Sequence, residues 1–411
     1  MNFSSTSCSS SEFKSRSGLK NIPIGLIEDI ISRLPAETVL DCKLVCRDWL
    51  NLIRHDLFPE KHLQYQLLHF HHFHNHKYYP NATDTDEVKT TKIGFIAGID
   101  ETAQDEYNMF YKEFNDRVIT TKRINHDILC QAGDDMISSC NGLICIVKYI
   151  FNNPVLYICN PITRECVHLP EFAAASESTT NNQAFGFGYD AAYKKYKAVR
   201  IVYPEREKND ECVGLVQVYT LGIGSGWRDR GTIAHSLGNM NYGVLVDGAL
   251  HWLGRNGQVW AFDLAGEKFS SLTKLPYSGD GVYHDQKLVV LGGWLSVVDI
   301  HSSGVDIWSF KKIKEESDLW SWSREFSIEC DYDIFPLFVL TNMGELICLR
   351  NDGTIYLYGK DSELICELEE IPHPIIFGIL HVNSFISLRA LGERDVEVIE
   401  SADRRRDETA N

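Results

Sequence analysis

The chain has 411 residues, of which 44% are hydrophobic and 24% charged, as in an ordinary folded protein with room for two or three domains. Its formal net charge of −17 excludes a general nucleic-acid binder, because phosphate contacts need clustered lysines and arginines. We expect no membrane partner, since the sequence shows neither a signal peptide nor 18 uninterrupted apolar residues. Twelve cysteines without an export signal indicate reduced thiols.

The N-terminal part predicts a disordered tail followed by a small helical domain. Residues 1–18 are rich in serine, and residues 19–63 form the predicted all-α domain. Pro23 stands just inside the start of the first helix, and Pro35 ends it. The apolar residues that recur at helical spacing on either side of Pro35 are Leu26, Ile27, Ile30, Ile31 and Leu34, then Leu40, Leu44, Val45, Trp49 and Ile53.

This helical unit has more apolar side chains than it can bury by itself. A unit of roughly 40 residues rarely builds a self-sufficient core without disulfides, metal or a partner. Part of its apolar surface therefore docks elsewhere, either on the rest of this chain or in a groove of another protein. The sequence alone leaves both alternatives open.

The same segment closely resembles an F-box. The match runs through Ile22-Pro23, Ile30-Ile31-Ser32-Arg33-Leu34-Pro35, Val45-Cys46-Arg47-Asp48-Trp49, Ile53, Phe58 and His62-Leu63. The resemblance implies binding to a Skp-type adaptor, which links F-boxes to a cullin scaffold. It also implies the contact or supporting residues, which are Pro23, Leu26, Ile30, Leu34, Pro35, Leu40, Leu44, Val45 and Trp49.

Residues 64–395 repeat with strand periodicity. Glycines that precede an apolar strand recur at positions 142, 248, 293 and 344, and alternating strands with polar turns follow them. Strand pairs of this kind leave exposed edges, which radial closure into blades removes. The sequence thus predicts an all-β propeller of roughly six blades, with strands from both ends completing the last one. Residues 385–388 are the candidate closing strand, and residues 396–411 predict a disordered polar tail. The fold class is multidomain α+β.

This region also resembles the F-box-associated domains of plant F-box proteins. The shared motifs are Ser139-Cys140-Asn141-Gly142-Leu143, Asn160-Pro161-Ile162-Thr163-Arg164, Phe185-Gly186-Phe187-Gly188-Tyr189-Asp190, Gly248-Ala249-Leu250-His251-Trp252 and Phe262-Asp263-Leu264. Such domains are similar to kelch or galactose-oxidase propellers. We expect most motif residues to be structural, with Trp252 and Trp260 packing between blades.

The sequence carries no clear catalytic or metal-binding pattern. Histidines alternate with phenylalanines between His69 and His76, which is compatible with metal ligation but equally describes a strand with one polar edge. The cysteine spacings miss those of zinc ribbons, and no nucleophile elbow or P-loop is present. We therefore expect no catalytic residue, no metal and no cofactor.

The combination predicts the substrate-recognition subunit of a Skp/cullin/F-box ubiquitin ligase in the cytoplasm, the nucleus or both. Such a subunit is not an enzyme, because it raises the effective concentration of a target protein near a bound conjugating enzyme. The sequence identifies neither the target nor the loops that bind it. The alternative is a free-standing propeller that binds sugars or metabolites, or a galactose-oxidase-like enzyme, with tryptophans such as Trp320 available for carbohydrate stacking.

Overall fold

The computed structural model describes most of the chain from residue 22 to residue 399. The described ranges are 22–70, 92–99, 108–115, 117–124, 134–150, 153–170, 183–203, 213–237, 241–276, 285–313, 319–329, 334–341, 343–350, 353–370 and 375–399. Both predicted tails lie wholly or mainly outside these ranges, as do the histidines beyond residue 70. No helix among the described residues is long and apolar enough to cross a membrane.

Four helices form the N-terminal unit: α1 (Ile24–Ser32), α2 (Ala36–Cys42), α3 (Arg47–Ile53) and α4 (Phe58–Phe70). Pro23 and Pro35 are the residues that precede α1 and α2, as proline's missing N–H favours. Ile27 and Ile31, one helical turn apart, are buried in the core of the unit. Helix α4 continues beyond residue 63, where the sequence placed the domain boundary.

The rest of the described chain is mainly β. Its first twelve strands are β1 (Lys92–Ile99), β2 (Asn108–Asn115), β3 (Val118–Ile124), β4 (Asp135–Cys140), β5 (Leu143–Ile150), β6 (Asn153–Asn160), β7 (Glu165–His168), β8 (Gln183–Asp190), β9 (Lys195–Val202), β10 (Gly214–Thr220), β11 (Arg228–Ile233) and β12 (Asn241–Val246). The remaining elements are β13 (Ala249–Leu253), β14 (Gln258–Asp263), β15 (Lys268–Lys274), β16 (Asp285–Leu291), β17 (Trp294–His301), β18 (Gly304–Lys312), β19 (Trp320–Glu329), β20 (Ile334–Leu340), β21 (Leu346–Arg350), β22 (Thr354–Tyr358), β23 (Leu364–Glu370), β24 (Ile375–Leu380), α5 (Leu388–Leu391) and β25 (Glu397–Val398).

These strands form a propeller-like arrangement of antiparallel sheets. Four sheets are separate blade-like units with the orders β24-β1-β2-β3, β25-β7-β6-β5-β4, β16-β17-β18-β19 and β20-β21-β22-β23. The fifth sheet has eight strands in the order β11-β10-β9-β8-β12-β13-β14-β15. The prediction of six blades is therefore wrong as a count of separate sheets. A parallel pairing of β12 with β8 over Asn241–Gly243 merges eight strands into one sheet.

Strands from both ends of the β domain close the arrangement, as predicted, but the closing strand is a different one. Strand β24 pairs with β1, and the N–H of His381 donates the last ladder bond to the carbonyl of Gly94. Residues 385–388 are not a strand, which corrects that prediction. Phe385 is buried in the helical core and Leu388 begins α5, so this stretch makes side-chain contacts instead of a ladder.

Two further expectations concern buried side chains. Trp252 on β13 is fully buried, and its indole N–H donates to the carbonyl of Phe185 on β8 (3.1 Å). Trp260 on β14 stacks on the ring of His235 with centroids 4.3 Å apart. The packing expected between blades therefore lies, for Trp252, within one merged sheet.

We expect reduced thiols at Cys159 on β6 and Cys166 on β7, and both residues are buried. Antiparallel pairing places them opposite each other with Cα atoms 4.2 Å apart, which brings their sulfur atoms together.

Candidate functional site

Five of the nine predicted adaptor-contact residues are exposed. Leu26 and Ile30 on α1 are 57% and 54% exposed, and Leu44 and Val45 between α2 and α3 are 86% and 58% exposed. Pro23 is also exposed. The other four, Leu34, Pro35, Leu40 and Trp49, are partly buried, and all of these except Pro35 pack against the core of the unit. The structure thus divides the nine residues into five exposed and four partly buried ones.

Helix α1 has apolar side chains on two faces. Ile27 and Ile31 point into the core, whereas Leu26 and Ile30, each one position earlier, point outward. Apolar side chains clustered on the outer face of a surface helix either contact a partner or stay in water at a cost. Sequence reasoning missed Ile24 and Leu57, which are 56% and 64% exposed in the same unit. Ile24 has helical spacing to the buried Ile27 and Ile31, and Leu57 lies in the turn before α4, so periodicity gives no signal for the exposure of either residue.

Helix α4 fixes the position of α1. The Tyr65 hydroxyl donates to Asp29 (2.5 Å), whose carboxylate also pairs with Arg33 (3.0 Å). Both hydrogen bonds lower the pKa of Asp29, and the bond from Tyr65 has the larger effect. His62 and Gln66 both donate to the carbonyl of Leu34 (3.0 Å each), just before Pro35. The outer face of α1 is therefore held in one orientation.

The segment that follows β24, residues 381–387, is here named the docking segment because it enters the helical unit. Phe385 is 5% exposed and belongs to the same core cluster as Ile31 and Phe58. Its ring centroid lies 5.0 Å from that of His62, edge to face, and the Lys43 ammonium lies 4.8 Å from the ring centroid. The helical unit thus completes its core with a side chain from the β domain.

Two of the motifs shared with F-box-associated domains, Asn141-Gly142 and Asn160-to-Arg164, hold the docking segment in place. Asn160 donates to the carbonyls of Ser384 (3.1 Å) and Ile386 (2.7 Å). Ser384 donates to the carbonyl of Asn141 (2.8 Å), and Glu165 accepts from the Ser387 hydroxyl (2.9 Å). These partners come from the Asn141-Gly142 and Asn160-to-Arg164 motifs and from β7. The motifs therefore secure the joint between the two domains.

A chain of hydrogen bonds also runs from β4 to α2. The Asn383 oxygen can only accept, so His381 Nε2 donates to it (3.1 Å), and Nδ1 accepts from Ser139 (2.8 Å). The amide of Asn383 then donates to Glu37 on α2 (2.9 Å). Burial lowers the pKa of His381 to about 3, so its imidazole is neutral at physiological pH.

Helix α4 also covers a cavity of about 790 Å³ at the centre of the β domain. Its wall is formed by residues of β4, β12, β16 and β24 and by Leu63 and Leu67 of α4. The charged residues at the cavity are Asp56, Glu60, Lys194 and Asp247. Among the described residues, no group of three or more His, Cys, Asp or Glu side chains is placed to hold a metal ion.

The tryptophans considered for sugar stacking are mostly occupied with packing. Trp227, Trp308 and Trp322 pack against core clusters. Trp320 is the exception among them at 40% exposure, and its ring packs beside those of Phe310 and Trp294.

A helical unit with an outward apolar face, docked on a propeller-like β domain, defines a class of two-domain proteins. Comparison with known families gives the particular family. An F-box domain matches residues 19–61, and an F-box associated β-propeller domain matches residues 102–361. The chain belongs to the plant F-box proteins with an associated β-propeller domain, which confirms the resemblance found in the sequence.

Similar proteins come from Arabidopsis thaliana. F-box protein At3g07870 is 26% identical over 85% of this chain and 85% of its own length. F-box/kelch-repeat protein At3g23880 is 22% identical over 82% of this chain and 87% of its own length. F-box protein CPR1 is 26% identical over 76% of this chain and 74% of its own length. A solved structure, the β-propeller domain of the Trilobed protease from Pyrococcus furiosus, matches 69% of this chain and 80% of its own at 11% identity and a TM-score of 0.37.

Proposed function

We propose that this protein is the substrate-recognition subunit of a Skp/cullin/F-box ubiquitin ligase. The observation that carries the proposal is the division of the apolar side chains of the helical unit. Ile27, Ile31 and Phe58 pack with Phe385 of the docking segment, while Leu26 and Leu44 face outward. Burying one such outward side chain contributes roughly 1.5 to 3 kcal/mol, so a Skp-type adaptor has a substantial surface to bind.

The β domain serves as the platform that presents a target protein. The docking segment contacts the F-box through Phe385 and Asn383 and is anchored in the β domain through Ser384. A bound target therefore keeps a constant orientation relative to the adaptor. Ubiquitin transfer is promoted by proximity to a conjugating enzyme on the cullin, and the protein needs no catalytic residue of its own. It acts in the cytoplasm, the nucleus or both.

The test is co-purification of the full chain with a plant Skp-type adaptor. In the variant Leu26→Asp plus Leu44→Asp, both substitutions are at exposed positions, so the fold should remain while adaptor binding falls at least tenfold. Leu364→Asp, at a position 54% exposed on β23, is the matched control and should bind like the parent. Binding that survives in the double variant, or that is absent from the folded parent, contradicts the proposal.

The double variant is a sharper probe than deletion of the helical unit. Removing residues 20–63 takes away Phe58 and His62, and it uncovers Phe385 on the β domain. A deletion therefore disturbs both domains, whereas the paired aspartates change only the outward face. Ubiquitylation of the target is a second readout. Once a target is known, the double variant should still bind it and fail to promote its ubiquitylation.

A further inference from the structure

The central cavity is large enough for a small molecule and is walled by both domains. Its volume of about 790 Å³ falls within the range of roughly 300 to 1,000 Å³ that is typical of small-molecule sites. Leu63 and Leu67 of α4 form one side, and Val246 of β12, Leu288 of β16 and Ile379 of β24 contribute to the other. A ligand here would contact the F-box helix and the propeller at once.

The strands around the cavity offer hydrogen-bonding groups as well as apolar side chains. Strands β4, β16 and β24 each stand at the end of their sheet's strand order. Strand β12 pairs with β8 only over Asn241–Gly243, so residues 244–246 are outside that pairing. At such edges the described strands have no neighbouring strand on one side, so backbone N–H and C=O groups there are available to water or a ligand, except groups such as the Val244 carbonyl, which accepts from His251 (3.3 Å). Apolar side chains mixed with a few such polar groups are typical of ligand sites.

The charged side chains at the cavity, among the described residues, are all exposed to solvent. Asp56, Glu60 and Asp247 are acidic, and the basic Lys194 lies 3.4 Å from the Glu60 carboxylate. Deeper inside, His381 bonds to Ser139 and Asn383 and contributes no charge. Within the described residues no charged side chain lines the buried part of the cavity, so a charged ligand would lose its hydration there without gaining a counter-charge.

We propose that the cavity between α4 and the propeller binds an uncharged, largely apolar small molecule that carries hydrogen-bonding groups. The proposal is independent of adaptor binding, since none of the outward residues of α1 lines the cavity. Because the ligand touches α4 and β12 together, it adds contacts across the joint between the domains.

The test uses the neutral solvatochromic dye Nile red and the purified full chain. We expect saturable binding of one dye per chain.

Leu67→Trp fills the cavity from α4 and should weaken dye binding at least tenfold. The neighbouring Leu68 is exposed and does not line the cavity, so Leu68→Trp should not weaken dye binding. Val246→Trp fills the cavity from β12 and should act like Leu67→Trp. Leu26→Asp plus Leu44→Asp removes outward apolar groups and should leave dye binding unchanged.

Hydrogen exchange on the unmodified chain gives a second readout that does not depend on any variant folding. Saturating dye should slow exchange in α4 and β12 more than in α1. Weaker binding of an anionic dye, anilinonaphthalene sulfonate, by at least tenfold is expected because its sulfonate would lose hydration in the apolar cavity. No saturable Nile red binding, protection confined to α1, or equal binding of the anionic dye overturns the proposal. Because the adaptor-binding variant is a control here, failure of this proposal leaves the ligase assignment intact.

Discussion

Phe385, which follows the last strand of the β domain, packs with Phe58 at the start of α4 with ring centroids 6.0 Å apart. The two residues are separated by most of the chain, yet they share one core cluster with Ile31 and Val39. The core of the F-box is therefore completed by the β domain, and the orientation of one domain on the other is determined by packing.

The first prediction concerns this contact. Phe385→Ala removes a buried ring from the helical core and should destabilise the helical unit by about 3 to 5 kcal/mol. The measurement is hydrogen exchange in α1 to α4 together with chemical unfolding. Tyr193→Ala, at a position 68% exposed, is the control and should change stability little. Unchanged exchange in α1 to α4 would show that Phe385 does not support the helical unit.

The second prediction tests how tightly the docking segment lies on the Asn141-Gly142 turn. Gly142 has φ +86°, and a Cβ at this position would lie 2.0 Å from the Ser384 hydroxyl oxygen. Gly257 has a similar φ of +73° but no atom within 4 Å of the same position. Both Gly→Ala variants should lose about 1 to 2 kcal/mol through the backbone, and Gly142→Ala should lose more. Equal unfolding free energies for the two variants would contradict the close approach.

The third prediction is a pH dependence from His62. Burial lowers the pKa of His62 to about 4, below its ordinary value of 6.5, so the folded state disfavours the proton. Its stability contribution is complete above pH 6.5 and falls as the pH drops from 6.5 toward 4, by about 1.4 kcal/mol per pH unit.

The check is the unfolding free energy between pH 7 and pH 4.5 for the parent and His62→Gln. The variant should have a shallower slope by about one proton, since a glutamine cannot titrate. His55→Gln replaces an exposed histidine of the same unit and is the control for the substitution itself. A parent whose stability does not fall below pH 6.5 would rule out a neutral buried His62.

The fourth prediction concerns the eight-stranded sheet. Lys197 on β9 is buried and pairs with Asp190 (2.9 Å) and with Glu267 (3.0 Å), which lies in the turn between β14 and β15. Lys197→Met leaves Asp190 without its cation and should cost about 3 to 5 kcal/mol. Asp190→Asn plus Lys197→Met should cost less than the sum of the single variants. Additive losses in this double-mutant cycle would mean that the pair is not coupled.

Most of the architecture followed from local patterns. The helix boundaries at Pro23 and Pro35 and the alternation in strands such as β14 reflect backbone chemistry that acts within a few residues. The strand predicted at residues 385–388 is wrong because a local pattern carries no information about distant partners. The pattern of residues 385–388 suits a strand, but Asn160 and Glu165, more than 200 residues away along the chain, take up their hydrogen bonds.

The sequence by itself determined the two domains, the F-box motif and the nine predicted contact or supporting residues. It could do so because helical and strand periodicities and the proline positions are local properties. Tertiary structure decided which of the nine face outward, and that two halves of a sheet merge through β8 and β12. It also decided that Phe385 completes the helical core and that α4 covers a cavity. These features depend on contacts between residues far apart in the chain, and no periodicity encodes which distant side chain fills a given space.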